Sequence, residues 1–259
     1  CFPKPGSRLS VLPPFANLCA PPLTAATKNL AIYDFCAELA IMGIFADTLT
    51  AVATMIKAVF FDMDGVLYDS MPNHEYSWCK AFEAEGITFR PEEAYANEGR
   101  TARGTINLVF NRELGHAATD EDVERIYAYK TSLMRSRPQP PFLPRMRELL
   151  LSLPSLGVKV FVVTGSRQPS LVGKLHDAFG IGQDTLVCGA DVKRGKPDPE
   201  PYLMALERSG FAASECLVVE NAPLGIISGK AAGLTVWAVN TGKLPDSALT
   251  GAGADRLFH

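Results

Sequence analysis

Two aspartates, Asp62 and Asp64, close a strand-like run in Phe61-Asp62-Met63-Asp64-Gly65-Val66-Leu67. Residues i and i+2 of a strand share a face, so both carboxylates can point into one crevice. Two like charges that close require a cation or a shared proton, and either arrangement makes one a nucleophile and the other a proton carrier. An ordinary turn is the competing reading, because Asp-Gly is a common turn signal.

Three later segments also place polar groups at the end of an apolar run. Val162-Val163-Thr164-Gly165-Ser166 offers hydroxyls and backbone N–H groups that can cradle phosphate oxygens at a helix start. A simple helix cap by Ser166 is the alternative there. Lys196 lies on the stiff loop Arg194-Gly195-Lys196-Pro197-Asp198-Pro199, where a cation can neutralise both a phosphoryl group and its nucleophile. Val218-Val219-Glu220-Asn221-Ala222-Pro223 supplies an acid and an amide, oxygen ligands suited to Mg2+.

A sheet must hold these groups together. After Met55, which reads as a natural start, short β-branched runs recur at Ile56 to Phe61, Val158 to Val163, Thr185 to Cys188, Cys216 to Val219 and Thr235 to Val239. Helical segments alternate with them at Pro144 to Leu153, Ser170 to Phe179, Pro199 to Ser209 and Pro223 to Ala232. That alternation predicts an α/β fold with a Rossmann-like, doubly wound parallel sheet, whose strand ends carry the chemistry. Between Pro72 and Pro138 the period is helical throughout, as in Trp78, Ala81, Phe82 and Ile106, Val109, Phe110. This predicts an all-helical cap domain over 72–138, inserted into a core domain of 55–71 and 139–259. Trp78, Phe82, Phe110 and Tyr129 read as the cap's own core. The return through Arg137-Pro138-Gln139-Pro140-Pro141 is stiff, as a hinged lid requires.

Composition narrows the partners. The 259 residues are 47% hydrophobic and 20% charged, so most of the chain is not a disordered polyelectrolyte. A formal charge of -3 leaves no global field for nucleic acid or an anionic membrane, and any anion must be held locally. Six cysteines with no CxxC pair read as reduced thiols of a cytoplasmic protein. Residues 1–54, rich in proline and poor in charge, read as a leader or upstream extension outside the fold. Their most apolar stretch, Leu39 to Ala53, is too short for a membrane span and contains Asp47.

The four strand-end segments, in this order over residues 55 to 258, resemble the haloacid dehalogenase superfamily of phosphotransferases, in the helical-cap branch that includes β-phosphoglucomutase. The resemblance implies that Asp62 attacks phosphorus to form an aspartyl phosphate, while Asp64 protonates the leaving group and later deprotonates water. It implies phosphate binding by Thr164, Gly165, Ser166 and Lys196, and Mg2+ held by Asp62, the Asp64 carbonyl and an acid of the last segment, Glu220 or its neighbour. There the chain departs from the pattern, because Asn221 stands where an Asp is usual. His74, twelve residues after Asp62, matches the branch as a partner near the leaving group. A monomer is the usual state of such capped enzymes, and such chains continue into a further helix after the edge segment Arg256 to Phe258.

The cap loop Asn97-Glu98-Gly99-Arg100-Thr101-Ala102-Arg103 bears on substrate. Glu98 replaces a lysine of the mutases and Ala102 a phosphate-binding arginine, with Arg103 one residue away. Their loss argues against mutase activity. Glu98 reaching to the metal would restore the charge missing at Asn221, a combination that resembles haloacid-dehalogenase-like inorganic pyrophosphatases. Pyrophosphate is therefore the first expected substrate, a small sugar or polyol phosphate the second and mutation of a sugar phosphate the third. A non-catalytic phosphate-binding or receiver-like protein is the reading from another class, but such a domain lacks so long a lid.

Overall fold

The computed structural model describes residues 56–166 and 169–259. The extension proposed for residues 1–54 lies outside them. Strand β1 (Ala58–Phe61) runs straight into the Asp62 turn. Four helices follow before the chain returns to the sheet: α1 (Met71–Glu83), α2 (Pro91–Ala96), α3 (Ala102–Glu113) and α4 (Asp120–Ser136). Beyond them come α5 (Met146–Ser152), β2 (Lys159–Val163), α6 (Pro169–Phe179), β3 (Leu186–Val187), α7 (Glu200–Ser209), β4 (Cys216–Glu220), α8 (Pro223–Ala231), β5 (Thr235–Val239), α9 (Asp246–Gly251) and β6 (Arg256–Phe258).

All six strands are parallel, in the order β3-β2-β1-β4-β5-β6. β1 therefore lies between β2 and β4, and the segments that follow these three strands share one edge of the sheet. Alternation along β1 is clean: Val59 and Phe61 pack on the face covered by α5 and α6, Ala58 and Phe60 on the face covered by α7, α8 and α9. Each fully buried aromatic of this kind contributes about 1.5–3 kcal/mol, which holds the Asp62 turn on a rigid base. Strand ends differ from the sequence reading by one or two residues. Thr185 and Cys188 fall outside β3, and β4 extends to Glu220 because Glu220 still pairs with Ala238.

The cap has its own core, in which Trp78, Phe82 and Phe89 stack with Ile106, Phe110 and Ile126 around them. Tyr129, expected in that core, is exposed instead. It lies off the stripe of Val123, Ile126 and Lys130 that α4 turns inward. The two links between cap and core run side by side. Asp69 donates its N–H to the Pro141 carbonyl at 3.0 Å, Leu143 donates to Leu67 at 2.8 Å, and Tyr68 stacks on Phe142 at 4.4 Å. No helix among the described residues is long and apolar enough to cross a membrane.

Candidate active site

Asp62 sits one residue past β1, its N–H still bonded to the Val219 carbonyl at 2.9 Å, and its carboxylate is 2% exposed. Lys196 donates to Asp62 Oδ1 at 2.6 Å, to the Val163 carbonyl at 3.0 Å and to Glu220 Oε1 at 2.7 Å. These bonds use all three ammonium protons. Burial pushes the Asp62 carboxyl up to about 7, against the pull of Lys196. For Lys196 burial acts downward, but Asp62 and Glu220 outweigh it and keep the ammonium well above its ordinary value.

Asp64 is held differently. Ser70 Oγ donates to its Oδ1 at 2.6 Å, and His74 Nε2 stands 3.5 Å from the same oxygen. Burial pushes this carboxyl up too, but His74, Ser70 and Lys130 together bring it below the ordinary carboxylate value. The two aspartates are thus separated in acidity by their neighbours, with the proton favoured on Asp62 and Asp64 ionised, and only a further cation beside Asp62 would free that carboxylate to act as the nucleophile.

Thr164 is buried, and its Oγ1 accepts the Ser166 N–H at 2.9 Å, so the threonine shapes the turn that exposes Gly165. Thr164, Gly165, Ser166 and Lys196 all line one cavity of about 700 Å3 between core and cap, together with Asp64, His74 and Glu98. Glu98 reaches it from the loop between α2 and α3. Its carboxyl is pushed well above the usual range by burial and then by Asp64 and Asp62. That loop seats closely on the core. A Cβ at Gly165 would approach the Gly99 carbonyl to 3.3 Å, and one at Gly195 would come equally close to Thr101 Cγ2. A side chain at either position would press the cap outward by a few tenths of an ångström.

One expectation needs correction. Glu220 does not face the site of a metal ion, because its Oε1 accepts from Lys196 and from the Tyr202 hydroxyl, while Oε2 accepts the Asn221 N–H at 3.0 Å. Every strong acceptor direction is taken. Arg103 lines the rim of the same cavity, half exposed and paired with Asp120 at 2.7 Å.

Among the cap cations that line the cavity Lys130 is the buried one, and the sequence reading missed it. It is 7% exposed, 3.4 Å from His74 Nδ1 and 5.3 Å from the centre of the Trp78 ring. Its signal was there: a lysine on the apolar stripe of an otherwise charged helix. Burial pulls its ammonium below the ordinary value, while Glu98 and Asp64 oppose that shift.

The residues present fit a hard divalent cation. Asp62 Oδ2, Asp64 Oδ2 and Asn221 Oδ1 are buried oxygens with no hydrogen-bond partner. Leaving such groups unpaired costs about 1–3 kcal/mol each, and an oxygen-binding cation offsets it. Among the described residues, the buried or half-buried carboxyls Asp62, Asp64, Glu98 and Glu220 also stand near two buried ammonium groups, Lys130 and Lys196.

A family model described as a haloacid dehalogenase-like hydrolase matches residues 56–233. Hexitol phosphatase A of Escherichia coli K12 is 35% identical over 188 residues, 71% of this chain and 83% of its own length. Validoxylamine A 7'-phosphate phosphatase of Streptomyces hygroscopicus subsp. limoneus is 30% identical over 181 residues, covering 70% and 84%. A solved structure from Bacteroides vulgatus, provisionally assigned as a β-phosphoglucomutase, superimposes with a TM-score of 0.75 at 44% identity, covering 87% of this chain and 92% of that one. These relatives are named for sugar-like and polyol phosphates, which agrees with the second of the expected substrate classes better than with the first. Matched over more than two thirds of its length, the chain belongs to the haloacid dehalogenase-like hydrolases and is an enzyme of their phosphatase kind.

Proposed function

We propose that this chain hydrolyses a small sugar or polyol phosphate with Mg2+, through an aspartyl phosphate on Asp62. The observation that carries the reading is the cavity of about 700 Å3 above the aspartates, far more than a departing orthophosphate fills. The hexitol phosphatase and validoxylamine phosphate phosphatase relatives support a hydroxyl-rich leaving group.

Asp62 attacks phosphorus and the P–O ester bond breaks, while Asp64 gives its proton to the departing alkoxide. In the second half Asp64 takes a proton from water, whose oxygen attacks phosphorus and frees Asp62. The Thr164–Ser166 turn binds the phosphoryl oxygens and holds them in line, while Lys196, bonded to Asp62 and Glu220, balances their charge. Asp62, the Asp64 carbonyl and Asn221 would hold Mg2+, which would neutralise the phosphoryl charge. Glu98 and Lys130 face the leaving group, an acceptor and a donor for hydroxyls.

All these groups come from one chain, which supports a monomer acting on a diffusible small molecule. Free Cys79, Cys188 and Cys216 agree with a reducing, cytoplasmic setting. The test is kcat/KM with Mg2+ for hexitol phosphates, other sugar phosphates and pyrophosphate, a ratio that reports differential transition-state binding. A polyol or sugar phosphate is expected to lead by about a hundredfold. A lead for pyrophosphate would return Glu98 to the role of metal ligand.

A further inference from the structure

Glu220 occupies a recess built around it. A Cβ at Gly225, in the first turn of α8, would fall on its carboxylate, so glycine there makes the space. Its Oε2 accepts the N–H groups of Asn221 at 3.0 Å and Ala222 at 3.4 Å. Its Oε1 accepts twice, from Lys196 Nζ at 2.7 Å and from the Tyr202 hydroxyl at 2.7 Å. Tyr202 is fully buried among the residues under the sheet, and its ring centre lies 5.2 Å from Lys196 Nζ. Neither the chemistry of the two aspartates nor the grip on phosphate uses this tyrosine directly.

We infer that Tyr202 is a positioning residue whose hydroxyl, by sharing Glu220 Oε1 with Lys196, keeps the lysine directed at Asp62 and the phosphoryl group. Lys196 has two carboxylates competing for it, Glu220 at 2.7 Å and Asp62 at 2.6 Å. In a dry site a carboxylate oxygen with one donor pulls harder on it than one with two. Without the Tyr202 hydroxyl, the charge of Oε1 falls on Lys196 alone, and the ammonium moves toward Glu220 and away from the nucleophile. Burial, and next the Glu220 charge, push the tyrosine hydroxyl well above its ordinary value, so it stays a donor. Phenylalanine keeps the ring and its packing and removes only this bond.

The inference rests on the phosphohydrolase reading but not on the identity of the ester. The test is a double-mutant cycle of Tyr202→Phe and Glu220→Gln in the full chain with Mg2+. It reads the Kd of inorganic phosphate by calorimetry and kcat on p-nitrophenyl phosphate. Tyr202→Phe is expected to weaken phosphate and lower kcat by about tenfold, and to change either by less than about twofold once Glu220 is Gln. Equal losses in both backgrounds would reduce Tyr202 to packing, and no loss in the parent would overturn the inference. A parent that neither binds phosphate nor cleaves the ester sinks the phosphohydrolase reading and this inference with it. A preference for another ester leaves the cycle standing.

Discussion

Lys130 brings its Nζ to 3.4 Å from His74 Nδ1, joining α4 to α1 where His74 turns its other nitrogen toward Asp64. An ammonium can only donate, so the bond leaves the imidazole proton on Nε2, facing Asp64. Burial and then Lys130 hold His74 below its ordinary value, so near neutral pH it is an uncharged donor. Lys130→Met is therefore expected to lower kcat by roughly 10- to 100-fold. Burial disfavours the Lys130 charge while Glu98 and Asp64 favour it, and with these opposed Tm is expected to shift by less than about 2 °C. Parallel losses of Tm and activity would make Lys130 structural.

Asp62→Asn removes the nucleophile while keeping its shape. Turnover is expected to fall by a factor on the order of a thousand or more. Rapid quench with labelled substrate should show a phosphoenzyme in the parent and none in the variant. A phosphoenzyme in the variant would rule out attack by Asp62.

The metal-free chain should lose stability as pH rises. Folded Asp62 titrates near 7, against 3.8 as a free side chain, so between those values the folded state keeps a proton that the unfolded state has lost. This contribution is complete below about pH 4 and fades as pH climbs through 7. Mg2+ competes with that proton, so the rise in Tm from EDTA to Mg2+ should be larger at about pH 8 than at about pH 5.5. Equal rises at both values would argue against Asp62 as a ligand.

Gly165 is exposed on the core, yet it lies directly beneath the cap carbonyl of Gly99. Gly165→Val should hold the cap off its seat and lower kcat/KM by about tenfold or more. Tm should shift by less than about 2 °C, because no core contact is lost. An unchanged kcat/KM would show that the seam tolerates a gap.

Glu98→Gln separates the two readings of the lid. With a polyol phosphate the amide still accepts hydroxyl hydrogen bonds, and the rate should stay within about threefold. With pyrophosphate as true substrate and Glu98 as metal ligand, most activity would vanish. Parallel rates on both substrates, parent against variant, decide it.

The sheet, its strand-end residues and the helical insertion were legible because each rests on a short local pattern: alternation along β1, or an Asp-x-Asp at its end. Tyr202 was not, because it acts through a partner 18 residues away that only the packed chain brings close, and the place of Lys130 on its helix's apolar stripe did not reveal its partner 56 residues away. Glu220 was misread for a related reason. An acid beside a candidate metal ligand looks like a second ligand until the donors around it are counted. Substrate preference was the least legible, since it depends on how deep the cap seats and how much space remains beneath it.

The paired links at Asp69–Pro141 and Leu67–Leu143 have a wider consequence. Because the chain leaves the core and comes back at neighbouring points, the insertion is a detachable module: its length and sequence can change while the spacing the core experiences at that boundary stays the same. Selection can then rework what the lid admits without disturbing Asp62, Lys196 or the sheet beneath them. One reaction centre could serve many metabolites in this way, with new specificity arising by exchange of a removable part.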